Sequence, residues 1–233
     1  MVRNKKIIIA IGGGGFTHSS DEDLDEYVIN QVNKSNINIG FLPTASNDNQ
    51  EKTDLFYKRF KSHKFKLSHF NLCTSVEGFN EWMLSKDIIY VGGGNTSEMI
   101  NIWKRHDLIK VFKDAYEKGI ILSGISAGAV CWFDWILSDS VNKKLNPLKG
   151  INFLEGSCTP HSSDNNRLQQ FILEIKVGNF PDGIAIDDGV AVLFIDGIPS
   201  EVYSSRINHD AYYVTRHDKI SLKTYIKNLN GQH

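Results

Sequence analysis

A serine between glycines, Ser126, has the surroundings that most directly indicate chemistry in this sequence. It lies in Gly124-Ile125-Ser126-Ala127-Gly128, between an apolar run that predicts a strand and small residues that begin a predicted helix. In such a sharp turn the central residue is strained, and glycines two positions before and after it keep strand and helix from colliding. The hydroxyl would be exposed, with the Ala127 N–H at a helix N-terminus, where negative charge is favoured. Simple close packing of a helix on a strand explains the same pattern, so its context has to decide.

A glycine triplet followed by Asn-Thr, residues 92–96, is the second candidate stretch. It directly follows an apolar run that predicts a strand. Glycines at the carboxyl end of a strand let backbone N–H groups point into a cleft, and Asn95 or Thr96 can cap the next helix. With the Ala127 N–H, a donor from this loop would complete an oxyanion hole. A tight turn with no chemical role is the alternative interpretation.

A histidine and two adjacent aspartates are candidates for proton transfer. His161 follows Pro160 at the end of a predicted strand, where a general base would lie if that strand neighbours the serine. Asp187 and Asp188 form a predicted turn in the last third of the chain, and one of them could hold the imidazole in its working tautomer. The aspartates equally suit an ordinary turn, because they tolerate unusual backbone angles.

Apolar runs alternate with amphipathic segments and so define the elements that must position these residues. Strands are predicted at 6–11, 39–42, 65–72, 88–91 and 120–125, each followed by a helix. This order predicts an α/β fold, a mostly parallel sheet with helices on both faces. Two apolar runs within 183–194 flank Asp-Asp-Gly and predict a hairpin, which begins an antiparallel C-terminal extension. The candidate loops fall at the carboxyl ends of strands, where such sheets bind ligands.

Composition excludes several classes of partner. The 26 basic and 27 acidic side chains give a net charge of −1, which offers no electrostatic reason to expect nucleic acid or an anionic membrane. No run reaches transmembrane length, and residues 7–11 are too short for a signal peptide, so a cytoplasmic location is expected. The three cysteines are odd in number and widely spaced, which disfavours a disulfide framework or a four-cysteine metal site.

Four glycines at the end of the first predicted strand, residues 12–15, raise a nucleotide-binding alternative. The third glycine of a dinucleotide fingerprint would fall at Thr17, and the next strand ends in Pro43 rather than an acid. Dinucleotide binding is therefore the less favoured interpretation.

Taken in order, the 92–96 loop, the 124–129 elbow, Pro160-His161 and the late acidic turn resemble the peptidase E and cyanophycinase family of serine peptidases. The resemblance spans most of the chain. It implies one peptidase E-like α/β domain over residues 1–233, on a scaffold similar to class I glutamine amidotransferases. It also implies a short peptide as substrate, no cofactor, no metal, no nucleic-acid or membrane partner, and a monomer or homodimer.

The resemblance implies a role for each matching residue of the reaction centre. Ser126 would be the nucleophile and His161 its general base, with Gly93 or Gly94 and Ala127 forming the oxyanion hole. The triad acid is open between Asp139, shortly after the nucleophile, and Asp188, where glutamate is usual in the family. We prefer Asp188, although aspartate is one methylene shorter, so the imidazole has to approach it more closely.

Substrate contacts are expected from Asn95, Thr96 and Arg167. Arg167 aligns, across a shortened loop, with an arginine associated with acidic side-chain recognition in peptidase E. The implied function is a serine-type exopeptidase that hydrolyses short peptides, alpha-aspartyl dipeptides among them, through an acyl-enzyme on Ser126. The competing hypothesis is an amidotransferase-like binding or regulatory protein with little or no catalysis.

Overall fold

The structure, a computed structural model, describes residues 5–62 and 64–230. Within these ranges the strands are β1 (Ile7–Ile11), β2 (Ile37–Leu42), β3 (Phe65–His69), β4 (Ile88–Val91), β5 (Ile121–Ile125), β6 (Phe133–Ser138), β7 (Asn146–Lys149), β8 (Leu154–Thr159), β9 (Gly183–Ile186), β10 (Val190–Ile195), β11 (Ile198–Ser204), β12 (Ala211–Val214) and β13 (Lys219–Ser221). The α-helices there are α1 (Glu22–Ile29), α2 (Gln50–Phe60), α3 (Phe79–Leu84), α4 (Thr96–Arg105), α5 (Ile109–Glu117), α6 (Ala127–Val130), α7 (Asn165–Lys176) and α8 (Leu222–Asn230).

A seven-stranded sheet, in the order β11-β10-β1-β5-β4-β2-β3, carries β5, the strand that precedes Ser126, at its centre. The five strands from β1 to β3 in this order are parallel, whereas β10 and β11 are antiparallel additions. Alternate residues of β1 enter two cores because successive strand side chains point to opposite faces. Ile9 and Ile11 pack with α1 and α2, and Ile8 and Ala10 pack in the core that contains α4 and α5. The predicted α/β class is therefore confirmed.

A second, six-stranded sheet in the order β13-β12-β9-β8-β6-β7 brings the histidine to the serine. Strands β6, β8 and β9 are parallel within it, and their apolar residues share a core with β1 and β10. Helix α7 packs through Phe171 and Ile175 in a third apolar cluster, together with Ala185 of β9. Residues 154–159 and 183–186 therefore build a separate sheet instead of extending the first one.

The hairpin predicted around Asp-Asp-Gly is wrong, because β9 and β10 belong to different sheets. Strand β9 pairs with β8 and β12, whereas β10 pairs with β1 and β11. Both strands are apolar on both faces, as is typical of central strands rather than of an exposed hairpin. Residues 187–189 are consequently the crossover between the sheets.

Among the residues that the structure describes, no helix is long and apolar enough to span a membrane.

Candidate active site

The turn at Ser126 is a strained elbow between β5 and α6. Ser126 has φ 55° and ψ −112°, a conformation that is costly for a residue with a side chain. A Cβ on Gly124 would lie 2.1 Å from the carbonyl oxygen of Gly128, and one on Gly128 would lie 2.2 Å from that of Val91. The flanking glycines therefore allow α6 to pack directly on the backbones of β4 and β5. The predicted strand–turn–helix is confirmed.

His161 lies directly above this elbow, in the loop after β8. Its Nε2 is 2.8 Å from Ser126 Oγ, which is hydrogen-bonding distance for proton transfer. His161 also has a left-handed backbone, with φ 53°. Ser126 and His161 follow strands of different sheets, and both have strained backbone conformations, which are frequent at functional sites.

Asp188 completes a hydrogen-bonded chain on the far side of the imidazole. Its Oδ1 is 2.5 Å from His161 Nδ1, and its Oδ2 accepts a hydrogen bond from Ser163 Oγ at 3.0 Å. The hydrogen bond with His161 lowers the pKa of Asp188 to about 2, against the opposing effect of burial. Asp187 is engaged elsewhere, accepting hydrogen bonds from Ser162 Oγ at 2.6 Å and from the Asp210 N–H at 3.1 Å. Asp188 is therefore the acid of this pair that contacts the histidine.

The other acid weighed from the sequence, Asp139, is not the partner of the imidazole. Its Oδ2 accepts a hydrogen bond from Arg167 Nη2 at 3.0 Å, and Arg167 Nη1 donates to the Leu137 carbonyl at 3.4 Å. The Arg167 side chain is only 11% exposed. Asp188, and not Asp139, is thus the acid that contacts the imidazole, and the guanidinium considered for substrate binding lies against a carboxylate of its own chain.

Gly13, at the end of β1, explains how the short aspartate reaches the imidazole. A Cβ there would lie 1.9 Å from Asp188 Oδ1 and 2.9 Å from His161 Nδ1. The Gly13 carbonyl also accepts a hydrogen bond from the Gly189 N–H at 2.8 Å, which holds the acidic turn against β1. From the sequence, this glycine run indicated a tight loop with a nucleotide-binding alternative. The feature that could have pointed to the acidic turn is the absence of side chains just after β1, which leaves room for another segment to pack there.

The glycine loop after β4 contacts Ser126 through Gly93. A Cβ on Gly93 would lie 3.2 Å from Ser126 Cβ, whereas one on Gly94 would meet the Ala45 carbonyl oxygen at 2.1 Å. Asn95 caps α4, with its Oδ1 accepting the Glu98 N–H at 3.0 Å, and the Thr96 residue is buried. Gly93 and Ala127 therefore flank Ser126, and of the Asn-Thr pair Asn95 is the more exposed.

An ion pair that sequence reasoning missed lies beside the acidic turn. Arg206 donates from Nε and Nη2 to the two oxygens of Asp21, at 2.8 and 2.7 Å. A Cβ on Gly189 would lie 2.7 Å from Arg206 Cδ, and the Arg206 charge contributes to the lowered pKa of Asp188. The partners are 185 residues apart, so no local pattern could reveal the pair.

The arrangement of serine, imidazole, carboxylate and backbone donors suits acyl transfer by a serine hydrolase. No cluster of three or more histidine, cysteine, aspartate or glutamate side chains that could hold a metal ion occurs in the part of the chain that the structure describes.

Comparison with known proteins identifies the family. Residues 8–200 match peptidase family S51. The uncharacterized peptidase YgaJ of Bacillus subtilis (strain 168) is 38% identical over 212 residues, which cover 90% of this chain and 92% of that protein. The chain belongs to peptidase family S51 and is a serine peptidase, which confirms the resemblance to peptidase E.

Solved structures show the same fold at low sequence identity. A putative peptidase E protein from Listeria monocytogenes EGD-e has a TM-score of 0.63 at 19% identity, covering 88% of this chain and all of that one. A peptidase from an acI-B1 Actinobacterium has a TM-score of 0.67 at 14% identity, covering 94% of this chain and 98% of that one. These likenesses support the scaffold and carry no information on substrate.

Proposed function

We propose that Ser126, His161 and Asp188 are the catalytic triad of an exopeptidase that hydrolyses short peptides, alpha-aspartyl dipeptides among them. The observation that carries this proposal is the continuous chain of hydrogen bonds from Ser126 Oγ through both imidazole nitrogens to Asp188 Oδ1. A serine hydroxyl is weakly nucleophilic by itself. Here His161 is the base that accepts its proton, and the Asp188 carboxylate orients that base.

In the first half of the reaction His161 Nε2 takes the proton of Ser126 Oγ as that oxygen attacks the peptide carbonyl carbon. The resulting imidazolium protonates the leaving amine, and the acyl group stays on Ser126. Water then attacks the ester carbonyl while its proton passes to His161 Nε2. The imidazolium returns that proton to Ser126 Oγ as the ester bond breaks, which releases the carboxylic acid and restores the serine hydroxyl.

Asp188 keeps a proton on Nδ1, so that Nε2 faces the serine as an acceptor. Because the pKa of Asp188 is lowered to about 2, the carboxylate remains charged and stabilises the imidazolium that forms during the reaction. Its second oxygen is held by Ser163 Oγ, which limits rotation of the carboxylate.

The oxyanion is held by backbone N–H groups of the two segments that flank the serine. We assign this role to Ala127, at the start of α6, and to Gly93 or Gly94 in the loop after β4. Losing one such donor costs on the order of 3 to 4 kcal/mol of transition-state stabilisation. Loss of the donor from the loop after β4 is therefore expected to reduce kcat nearly as much as loss of a triad residue.

Substrate recognition by Arg167 requires its pair with Asp139 to open. The carboxylate of an aspartyl substrate would displace that of Asp139, since both accept the same guanidinium hydrogen bonds. Specificity for acidic residues then depends on how strongly the substrate competes with an acid of the protein.

Hydrolysis of Asp-X dipeptides and aminoacyl arylamides by Ser126→Ala tests the proposal. The variant is expected to lose at least about 10⁴-fold in kcat, because loss of the nucleophile disables the whole triad. Ser85→Ala, an exposed serine after α3, is the matched control and keeps wild-type turnover. Undiminished hydrolysis by Ser126→Ala would overturn the assignment and favour the binding-protein hypothesis.

A further inference from the structure

A polar cleft of about 520 Å³ opens beside the glycine loop of the nucleophile. Its volume lies within the range of small-ligand and peptide sites. One wall is the face of α4 that carries Glu98, Asn101 and Arg105. The other is the loop after β6, with Ser140 and Asn142.

The cleft begins next to the reaction centre. Asn95 lines it and lies two residues after Gly93, which packs against Ser126. Two residues span at most about 7 Å. The near end of the cleft therefore lies within about two extended peptide units of the residue that packs against Ser126.

Hydrogen bonds hold the two walls at a fixed separation. The Ser97 N–H donates to Ser140 Oγ at 3.2 Å, and Ser138 Oγ donates to the same oxygen at 2.8 Å. The loop after β6 is thus fastened to the first turn of α4. The cleft is consequently part of the folded structure and needs no ligand to form.

The lining has the chemistry of a peptide-binding surface. Asn47, Asn95, Asn101 and Asn142 contribute side-chain amides. Each such amide has one acceptor oxygen and two donor hydrogens, which match the C=O and N–H of a peptide unit. Few lining side chains are apolar, so the cleft favours hydrogen bonding over burial of a hydrophobic ligand.

The two ends of the cleft carry opposite charges. Glu98 lies at the end of α4 near the glycine loop, and Arg105 lies at the far end beside His106. Arg105 is exposed and forms no ion pair with any residue that the structure describes. A helix of ten residues is about 15 Å long, which an extended peptide of about four residues spans.

We propose that this cleft binds the extended continuation of a peptide substrate, about four residues beyond the scissile bond, and that Arg105 binds a carboxylate at its far end. The proposal rests on the peptidase function proposed above. It adds that the protein prefers oligopeptides of about five residues with a distal carboxylate over dipeptides. The carboxylate is the terminal one or that of an acidic side chain.

Calorimetric titration of the Ser126→Ala protein tests the proposal without turnover. The probes are Asp-Ala-Ala-Ala-Ala as free acid, the same peptide as C-terminal amide, the amide with glutamate at its fourth position, and Asp-Ala. We expect the free acid to bind about five- to ten-fold more tightly than the plain amide and Asp-Ala. If the glutamate-containing amide binds as tightly as the free acid, a side-chain carboxylate serves as well as the terminal one.

Arg105→Gln in the same background should abolish this preference. Lys104→Gln is the matched control, because it removes a neighbouring exposed charge of α4 that does not line the cleft. Equal affinity for all four probes, or an unchanged preference in Arg105→Gln, would overturn the proposal. If the cleft proposal is refuted, the assignment of dipeptide hydrolysis to Ser126 is unaffected. If Ser126→Ala retains hydrolysis, the measured peptide binding is unaffected, so the two proposals fail separately.

Discussion

Gly13→Ala is expected to disable catalysis by adding one methyl group. The Gly13 φ lies outside the left-handed region, so alanine fits the backbone and only the new side chain matters. The new Cβ would stand 1.9 Å from Asp188 Oδ1, where ordinary contact begins at 3.4 Å. The carboxylate must therefore retreat by about 1.5 Å, which takes it beyond hydrogen-bonding reach of His161 Nδ1.

The size of the effect follows from what that hydrogen bond does. A misplacement of about 1 Å costs about 10²-fold, and complete loss of the orienting acid costs about 10⁴-fold in related chemistry. We therefore expect kcat to fall between these limits. Because the methyl group acts on the contact between Asp188 and His161, the double variant with Asp188→Asn should lose much less kcat than the product of the two single losses.

Steady-state hydrolysis of a peptide arylamide, with thermal unfolding alongside, measures this effect. Gly78→Ala is the control: its Cβ would meet nothing within 4 Å, and its φ of 75° costs only stability. A folded Gly13→Ala protein with more than half of the wild-type kcat would refute the proposed packing of the acid. Strictly additive losses in the double variant would show that the methyl group acts elsewhere.

Three acids and one arginine carry charges whose loss should have measurable effects. Asp188→Asn should lower kcat by about 10³- to 10⁴-fold at neutral pH with little change in melting temperature, since the amide holds the wrong imidazole tautomer. Arg167→Met should lower the free energy of unfolding in urea titrations by about 1 kcal/mol, because it breaks the pair with Asp139. Adding Asp139→Asn to this variant should cause no further loss. A KM increase confined to Asp-X substrates would instead show that Arg167 binds substrate. Burial raises the pKa of Asp25 from its ordinary value of 3.8 to about 6. The wild-type free energy of unfolding should therefore decrease by about 2 kcal/mol more than that of Asp25→Asn as pH rises from about 4 to 6, and equal pH dependences would contradict this assignment.

The elbow and the fold class could be predicted because their causes are local. Strand, glycine, serine and glycine follow one another within five residues, and the alternation of apolar runs with helices leaves few arrangements of the sheet. The same applies to the loop at Gly93, whose position after β4 puts it beside β5. Backbone sterics and hydrophobic periodicity, both written in neighbouring residues, determine these features.

The partner of His161 could not be decided in this way. Choosing between Asp139 and Asp188 requires knowing that β9 and β10 belong to different sheets, so that the intervening turn passes over Gly13. The apolar runs and Asp-Asp-Gly fit a hairpin equally well by local rules. The pair of Asp21 with Arg206 likewise depends on a contact between the two ends of the chain.

Mass spectrometry of the protein treated with a serine-reactive phosphonate measures whether His161 activates Ser126. We expect one covalent adduct on Ser126, formed at least about 100-fold more slowly in His161→Ala, because the base that activates the hydroxyl is gone. The Ser126→Ala protein should show no adduct. No adduct on wild type, or labelling at the same rate in His161→Ala, would contradict a Ser126 activated by His161.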